Sequence, residues 1–126
     1  MKHPARIEDY LQHIAEAIDR ITGYLQEIDN AAALESDHKT QAAVIRYIEI
    51  IGEAANRIQR QAPEFVVAHP SLPWHEMRGM RNRMIHNYFD VNEDLLWATA
   101  KDDLPKLKQQ IDRLLMEVKR GPDFEP

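Results

Sequence analysis

The chain has 126 residues, enough for one domain built around one hydrophobic core. Hydrophobic residues make up 44% and charged residues 29%, with a formal net charge of −5, which excludes a disordered chain and a surface that binds polyanions everywhere. Zero cysteines exclude a disulfide framework, a thiolate metal site and a thiol nucleophile.

From Ile7 the apolar positions Ile7, Tyr10, Leu11, Ile14, Ile18, Ile21 and Leu25 recur every three or four residues, which predicts a long amphipathic helix. Gly23 is either a weak stop or a tolerated interior glycine. The stretch 27–37 has no clear assignment beyond a break at Asp29-Asn30 and a cap at Ser36 or Asp37. A second helix is predicted over 38–61 on Ala42, Ile45, Ile48, Ile51, Ala55 and Ile58, and Gly52-Glu53-Ala54-Ala55 suits a close crossing with another helix.

Pro63, Pro70 and Pro73 make 64–71 a loop with room for one helical turn, and Leu72-Pro73-Trp74 starts a third helix that should run to about His86. Asp90 or Asn92 can cap a fourth helix carrying Val91, Leu95, Leu96 and Ala100. Pro105 should interrupt it, with Asp102 or Asp103 as a fresh cap for a fifth segment on Leu107, Ile111, Leu114, Leu115 and Val118. Gly121-Pro122 ends that segment and leaves 121–126 as a tail. With no strand-period run, the expected fold is an all-α up-and-down bundle of four to five helices in a single domain, 1–126. No apolar run reaches the ~20 residues that cross a bilayer. The charged N-terminus does not resemble a signal peptide, so a cytoplasmic protein without membrane attachment is expected.

The chemistry concentrates at Arg81-Asn82-Arg83-Met84-Ile85-His86-Asn87-Tyr88. A guanidinium can hold a phosphate and an imidazole can move protons near neutral pH, so the segment suits a phosphodiester without a metal. On a helix, Trp74, Met77, Met84 and Ile85 fall within ~60° of Arg81, which places this arginine in an apolar stripe. A charge there needs a partner or a cleft, and Glu49 or Glu53 is a candidate partner. Asn82 and His86, four apart, would be helical neighbours able to hydrogen-bond. Asn87 suits a left-handed helix end that would swing Tyr88 toward the same cleft. Arg83 points to the far side, and Arg78, Arg81 and Arg83 with His75 and His86 form the best basic cluster, offset by Glu76. The cluster near Arg57 and Arg60 is weaker.

The pattern Arg81-x(4)-His86-x-Tyr88 resembles the signature of the HEPN superfamily and, in its fuller form, that of the HepT toxins. Ile51-Gly52-Glu53-Ala54, the approach from Trp74 to Met80, and 97–107 with Asp103-Leu104-Pro105 are similar too, so the resemblance spans roughly residues 5–118. It implies a helical homodimer in which Arg and His from both subunits line one cleft. It further implies a metal-independent endoribonuclease, acting on tRNA or mRNA, that is the toxin of a type VII toxin–antitoxin pair. The implied antitoxin is a minimal nucleotidyltransferase of the MntA type that transfers AMP to Tyr88. Arg81 and His86 would be the catalytic pair, Asn82 the polar neighbour, and Arg78 and Arg83 further contacts to RNA. The loop 29–37 has no clear family counterpart and could alter substrate access.

Two other readings compete. One is a non-catalytic helical dimer that binds a nucleotide or a partner protein through the same residues, and the other is a structural bundle in which Arg81 is an ion pair. A metal enzyme fits poorly: His75-Glu76-Met77-Arg78 lacks the second histidine of a zinc-protease helix, and His69, His75 and His86 are not spaced as one ligand set. No metal and no other cofactor are expected.

Overall fold

A computed structural model of the protein describes residues 3–87 and 90–120. The elements are α1 (His3–Tyr24), α2 (Ala31–Ser36), α3 (His38–Gln61), α4 (Pro63–Ala68), α5 (Trp74–Met84), β1 (Ile85–Asn87), β2 (Asp90–Val91), α6 (Glu93–Ala98), a π-turn (Thr99–Asp103) and α7 (Leu104–Arg120). The fold is all-α, a bundle whose long members are α1, α3, α5 and α7.

Side-chain contacts give the helix directions. Tyr10, early in α1, accepts a hydrogen bond from Gln61 at the end of α3 (3.0 Å), whereas Tyr24 packs on Tyr47. The two helices are therefore antiparallel. Lys108, early in α7, bridges Asp19 late in α1 (3.2 Å), so α7 also runs antiparallel to α1. Most of the hydrophobic stripes predicted for α1 and α7 enter the core: Leu11, Ile14, Ile18, Ile21, Leu107, Ile111 and Leu114 are buried, and Tyr10 and Val118 are half-buried at its edge.

α3 starts where its sequence signals a start. Asp37 Oδ1 accepts the Thr40 backbone N–H (3.1 Å), which satisfies a donor that the first helical turn leaves free. Its buried face is Val44, Ile48, Ile51, Gly52, Ala54, Ala55 and Ile58; Ala42, expected inside, is exposed. Gly52 makes the predicted close crossing. A Cβ there would lie 3.3 Å from the carbonyl oxygen of Met77 and 3.6 Å from that of Arg78, so α3 and α5 touch backbone to backbone.

Three points of the expected element layout change. The unassigned stretch contains α2, capped by Asn30, whose Oδ1 accepts the Ala33 N–H (2.8 Å). The third helix stops at Met84 rather than His86: Ile85 adopts φ −130°, ψ 110°, and Ile85–Asn87 pairs antiparallel with Asp90–Val91. Two β-branched residues at Ile85 and Val91 suit that ribbon, but it is too short to show a period in sequence. Pro105 does not break the chain into two capped helices. The helix continues through the π-turn, in which Leu104 N–H reaches back five residues to Thr99 O; this wider turn accommodates a residue without an N–H and replaces the cap expected at Asp102 or Asp103. Of the two caps proposed for α6, Asn92 is used, accepting the Leu95 N–H (3.0 Å). No helix among the described residues is long and apolar enough to cross a membrane.

Candidate active site

The Arg81–Tyr88 segment straddles the end of α5 and the start of β1, so its residues obey two periodicities. Within α5, Trp74, Met77, Met80 and Met84 point into the core, and Ile85 continues inward as the first residue of β1. Met80 shifts the centre of this face away from Arg81. The arginine lies on its flank, with 41% of its side chain exposed, rather than inside the apolar stripe. It turns toward α3, where its Nε donates to Glu49 Oε2 (3.2 Å). Glu49 also lies 3.7 Å from Arg46, so one carboxylate serves two guanidiniums. Glu53, the other candidate partner, instead accepts from Arg57 Nε (2.8 Å).

His86 is the second residue of β1 and is exposed, as strand alternation requires after buried Ile85. Because the helix has ended, the expected i,i+4 pairing of Asn82 with His86 does not exist. Asn82, also exposed, has its Oδ1 3.5 Å from Arg81 Nη1. Asn87 lies in the strand rather than at a left-handed helix end. Tyr88, and with it the expected swing toward the cleft, falls outside the described residues.

The predicted basic cluster divides in two. Arg78 faces α3, where Nη1 donates to Gln59 Oε1 (2.9 Å), and joins Arg81 on that side. Arg83 is exposed and folds back over Gly79, its Nη2 donating to Glu76 O (3.0 Å), so it lies apart from the α3 face. In exchange, α3 brings Arg46 toward Arg81 through the shared Glu49. This partner of the site escaped the sequence reading, although the i,i+3 spacing of Arg46 and Glu49 carries the signal. Among the described residues, two carboxyls have clearly lowered pKa values. Glu53 is lowered by the hydrogen bond from Arg57, and Asp37 by the backbone and hydroxyl hydrogen bonds of Thr40. Among the described residues, no group of three or more His, Asp or Glu gathers as a metal site would require.

An arginine, an amide and a histidine thus stand within six positions of one another where α5 gives way to β1, and such groups can bind a phosphate and move a proton. The sequence profile described as "Ribonuclease HepT-like" matches residues 14–114. "Probable ribonuclease HepT" of Thermococcus cleftensis is 47% identical over 107 residues, covering 85% of this chain and 94% of that protein. A protein of Methanocaldococcus jannaschii named as a candidate RNase is 35% identical over 106 residues, 84% of this chain and 94% of the relative. Another, from Caldanaerobacter subterraneus subsp. tengcongensis, is 34% identical over 114 residues, 87% and 95% respectively. No solved structure matches the chain significantly. The chain belongs to the HepT-like ribonuclease family of the HEPN superfamily.

Proposed function

We propose that the protein is a metal-independent endoribonuclease, the toxin of a toxin–antitoxin pair, acting as a homodimer whose two Arg81–His86 segments share one cleft. The observation that carries this reading is membership of a ribonuclease family combined with a solvent-accessible Arg81 and His86 at one junction. His86 removes the proton from an RNA 2′-hydroxyl, whose oxygen attacks the adjacent phosphorus. The P–O5′ bond breaks, and the leaving 5′-oxygen takes a proton from the partner subunit's His86. The products are a 2′,3′-cyclic phosphate and a 5′-hydroxyl.

Arg81 stabilises the charge that accumulates on the phosphorus oxygens. Its Nε is held by Glu49 and its Nη1 lies 3.5 Å from Asn82 Oδ1, which leaves Nη2 and the second Nη1 N–H as donors for phosphate. Asn82 steadies the guanidinium from its other side, and Arg78 and Arg83 contact flanking RNA. Stabilisation of this charge is assigned to Arg81, not to a metal ion.

A minimal nucleotidyltransferase antitoxin of the MntA type would neutralise the toxin by transferring AMP to Tyr88. The added phosphate would pair with Arg81 and occupy the substrate's place.

The Glu49 pair favours the competing structural reading, in which Arg81 serves stability alone. Both side chains are more than a third exposed, at 41% and 35%, so solvent screening leaves the pair a contribution of about 0–1 kcal/mol. That is a small return for a guanidinium held half-exposed beside an amide. The test is His86→Ala in the purified protein. Its RNA cleavage should fall by about 10²- to 10⁴-fold with an unchanged circular dichroism spectrum, and full activity would remove His86 from the mechanism.

A further inference from the structure

One face of α3 gathers Ile50, Glu53, Arg57 and Arg60 within ~40° of Arg46 on the helical wheel. Along the helix they span roughly 21 Å. α1 flanks this face on one side and α5, with Arg81, on the other. Between α1 and α3 lies a groove of about 290 Å³, lined by Tyr10, His13, Arg46, Glu49, Ile50 and Arg57.

We propose that this groove is a subsite for single-stranded RNA, seating the base and phosphate of a nucleotide next to the bond that is cut. The proposal rests on the ribonuclease reading and adds a substrate class and a place to it.

Three features support this occupant. The first is chemistry suited to an unstacked base: the Tyr10 and His13 rings meet edge to face at 6.5 Å beside the apolar side chain of Ile50. Aromatic faces and arginines together are the usual means of holding single strands, because each base offers a π-face once splayed from its neighbours. The second is charge. Four guanidiniums (Arg46, Arg57, Arg60, Arg81) face two carboxylates (Glu49, Glu53), leaving a local excess of cation on a chain whose formal net charge is −5. Glu53 and Glu49 engage Arg57 and Arg81 through Nε, which orients both; Arg57 also hydrogen-bonds Tyr10 and Arg81 Nη1 lies 3.5 Å from Asn82 Oδ1, and the remaining N–H groups are donors for a phosphate. Arg46 and Arg57 remain 69% and 48% exposed. The third is continuity: Glu49 lines the groove and holds Arg81, so the subsite ends at the guanidinium assigned to the scissile phosphate.

The test is binding of a fluorescein-labelled 2′-O-methyl oligonucleotide, which lacks the attacking hydroxyl, to the full chain by anisotropy across a salt series. Arg46→Gln/Arg57→Gln should weaken binding about 10- to 100-fold and lower the slope of log K against log salt by roughly 0.7 per lost phosphate contact. His13→Ala should weaken binding about fivefold or more with the slope kept, as loss of stacking would. A duplex of the same sequence should bind far less well than the single strand. Unchanged affinity and slope in the double variant, or equal binding of duplex, overturns the proposal. So does a changed oligomeric mass with RNA affinity retained, which would assign the groove to subunit contact. Groove-dependent binding without cleavage of ordinary RNA by the wild type would defeat the ribonuclease reading and leave the subsite standing. Cleavage with KM unaffected by the double variant would defeat the subsite alone.

Discussion

Gly52 sets the distance between α3 and α5, and with it the reach from Glu49 to Arg81, so it is the sharpest place to perturb the scaffold. In Gly52→Ala the new methyl stands 3.3 Å from Met77 O, tight enough that α5 must yield by a few tenths of an ångström. Removing a helical glycine returns about 0.5–1 kcal/mol of backbone entropy, so strain and propensity nearly cancel and the net change should stay within about 1 kcal/mol. Gly52→Val places two further methyl groups against backbone carbonyls that have no rotamer with which to retreat. Overpacking of this kind costs about 1–3 kcal/mol, and valine regains only a few tenths in propensity, for a net loss of about 1–3 kcal/mol. Urea unfolding of both variants measures the difference. RNA cleavage should fall in Gly52→Val under conditions where it remains folded, because the Glu49–Arg81 contact of 3.2 Å cannot survive a displaced α5 unchanged. Gly52→Val with wild-type stability and activity would refute the backbone-contact reasoning.

Arg81→Ala should change the free energy of unfolding by less than about 1 kcal/mol while lowering cleavage about 10²- to 10³-fold; a loss above 2 kcal/mol with a dissociated protein would make the arginine structural. Asp37 has its pKa lowered by the Thr40 backbone and hydroxyl hydrogen bonds, so its contribution is fully present above the unfolded value near 3.8 and is lost as pH falls through the lower folded value. Asp37→Asn keeps a capping oxygen without the titration, so its stability between pH ~5 and pH ~2 should fall less steeply than that of the wild type, measured by denaturant unfolding. Tyr88→Phe should retain ribonuclease activity yet gain no AMP on co-expression with the nucleotidyltransferase, read as intact mass; full neutralisation of this variant would mean that inhibition comes from binding alone.

The helices that bury one continuous stripe were legible in the sequence, and α3 appears over the predicted span because Asp37 caps it and Ala62-Pro63 ends it. Gly52 announced its crossing through the absence of a side chain. The end of α5 was not legible. Met84-Ile85-His86 continues a helical pattern of burial as well as it starts a strand, and the choice falls to pairing with Asp90–Val91, which no local spacing reveals. That ambiguity reached the candidate site, since Asn82 and His86 are neighbours only on a continuous helix. Pro105 misled for a different reason: a π-turn is a helix that tolerates the missing N–H, and its sequence looks like a break. Glu49 as the partner of Arg81 could be named only as one of two carboxylates, because the crossing at Gly52 decides which one α5 meets.

Incubation of the purified protein with RNA in excess EDTA tests the catalytic assignment most directly, with the chemical nature of the new ends as the readout. Arg81 and His86 acting without a metal predict continued cleavage and 2′,3′-cyclic phosphate termini. Cleavage that stops on chelation and returns with a divalent cation, or products ending in 3′-hydroxyl groups, would contradict it.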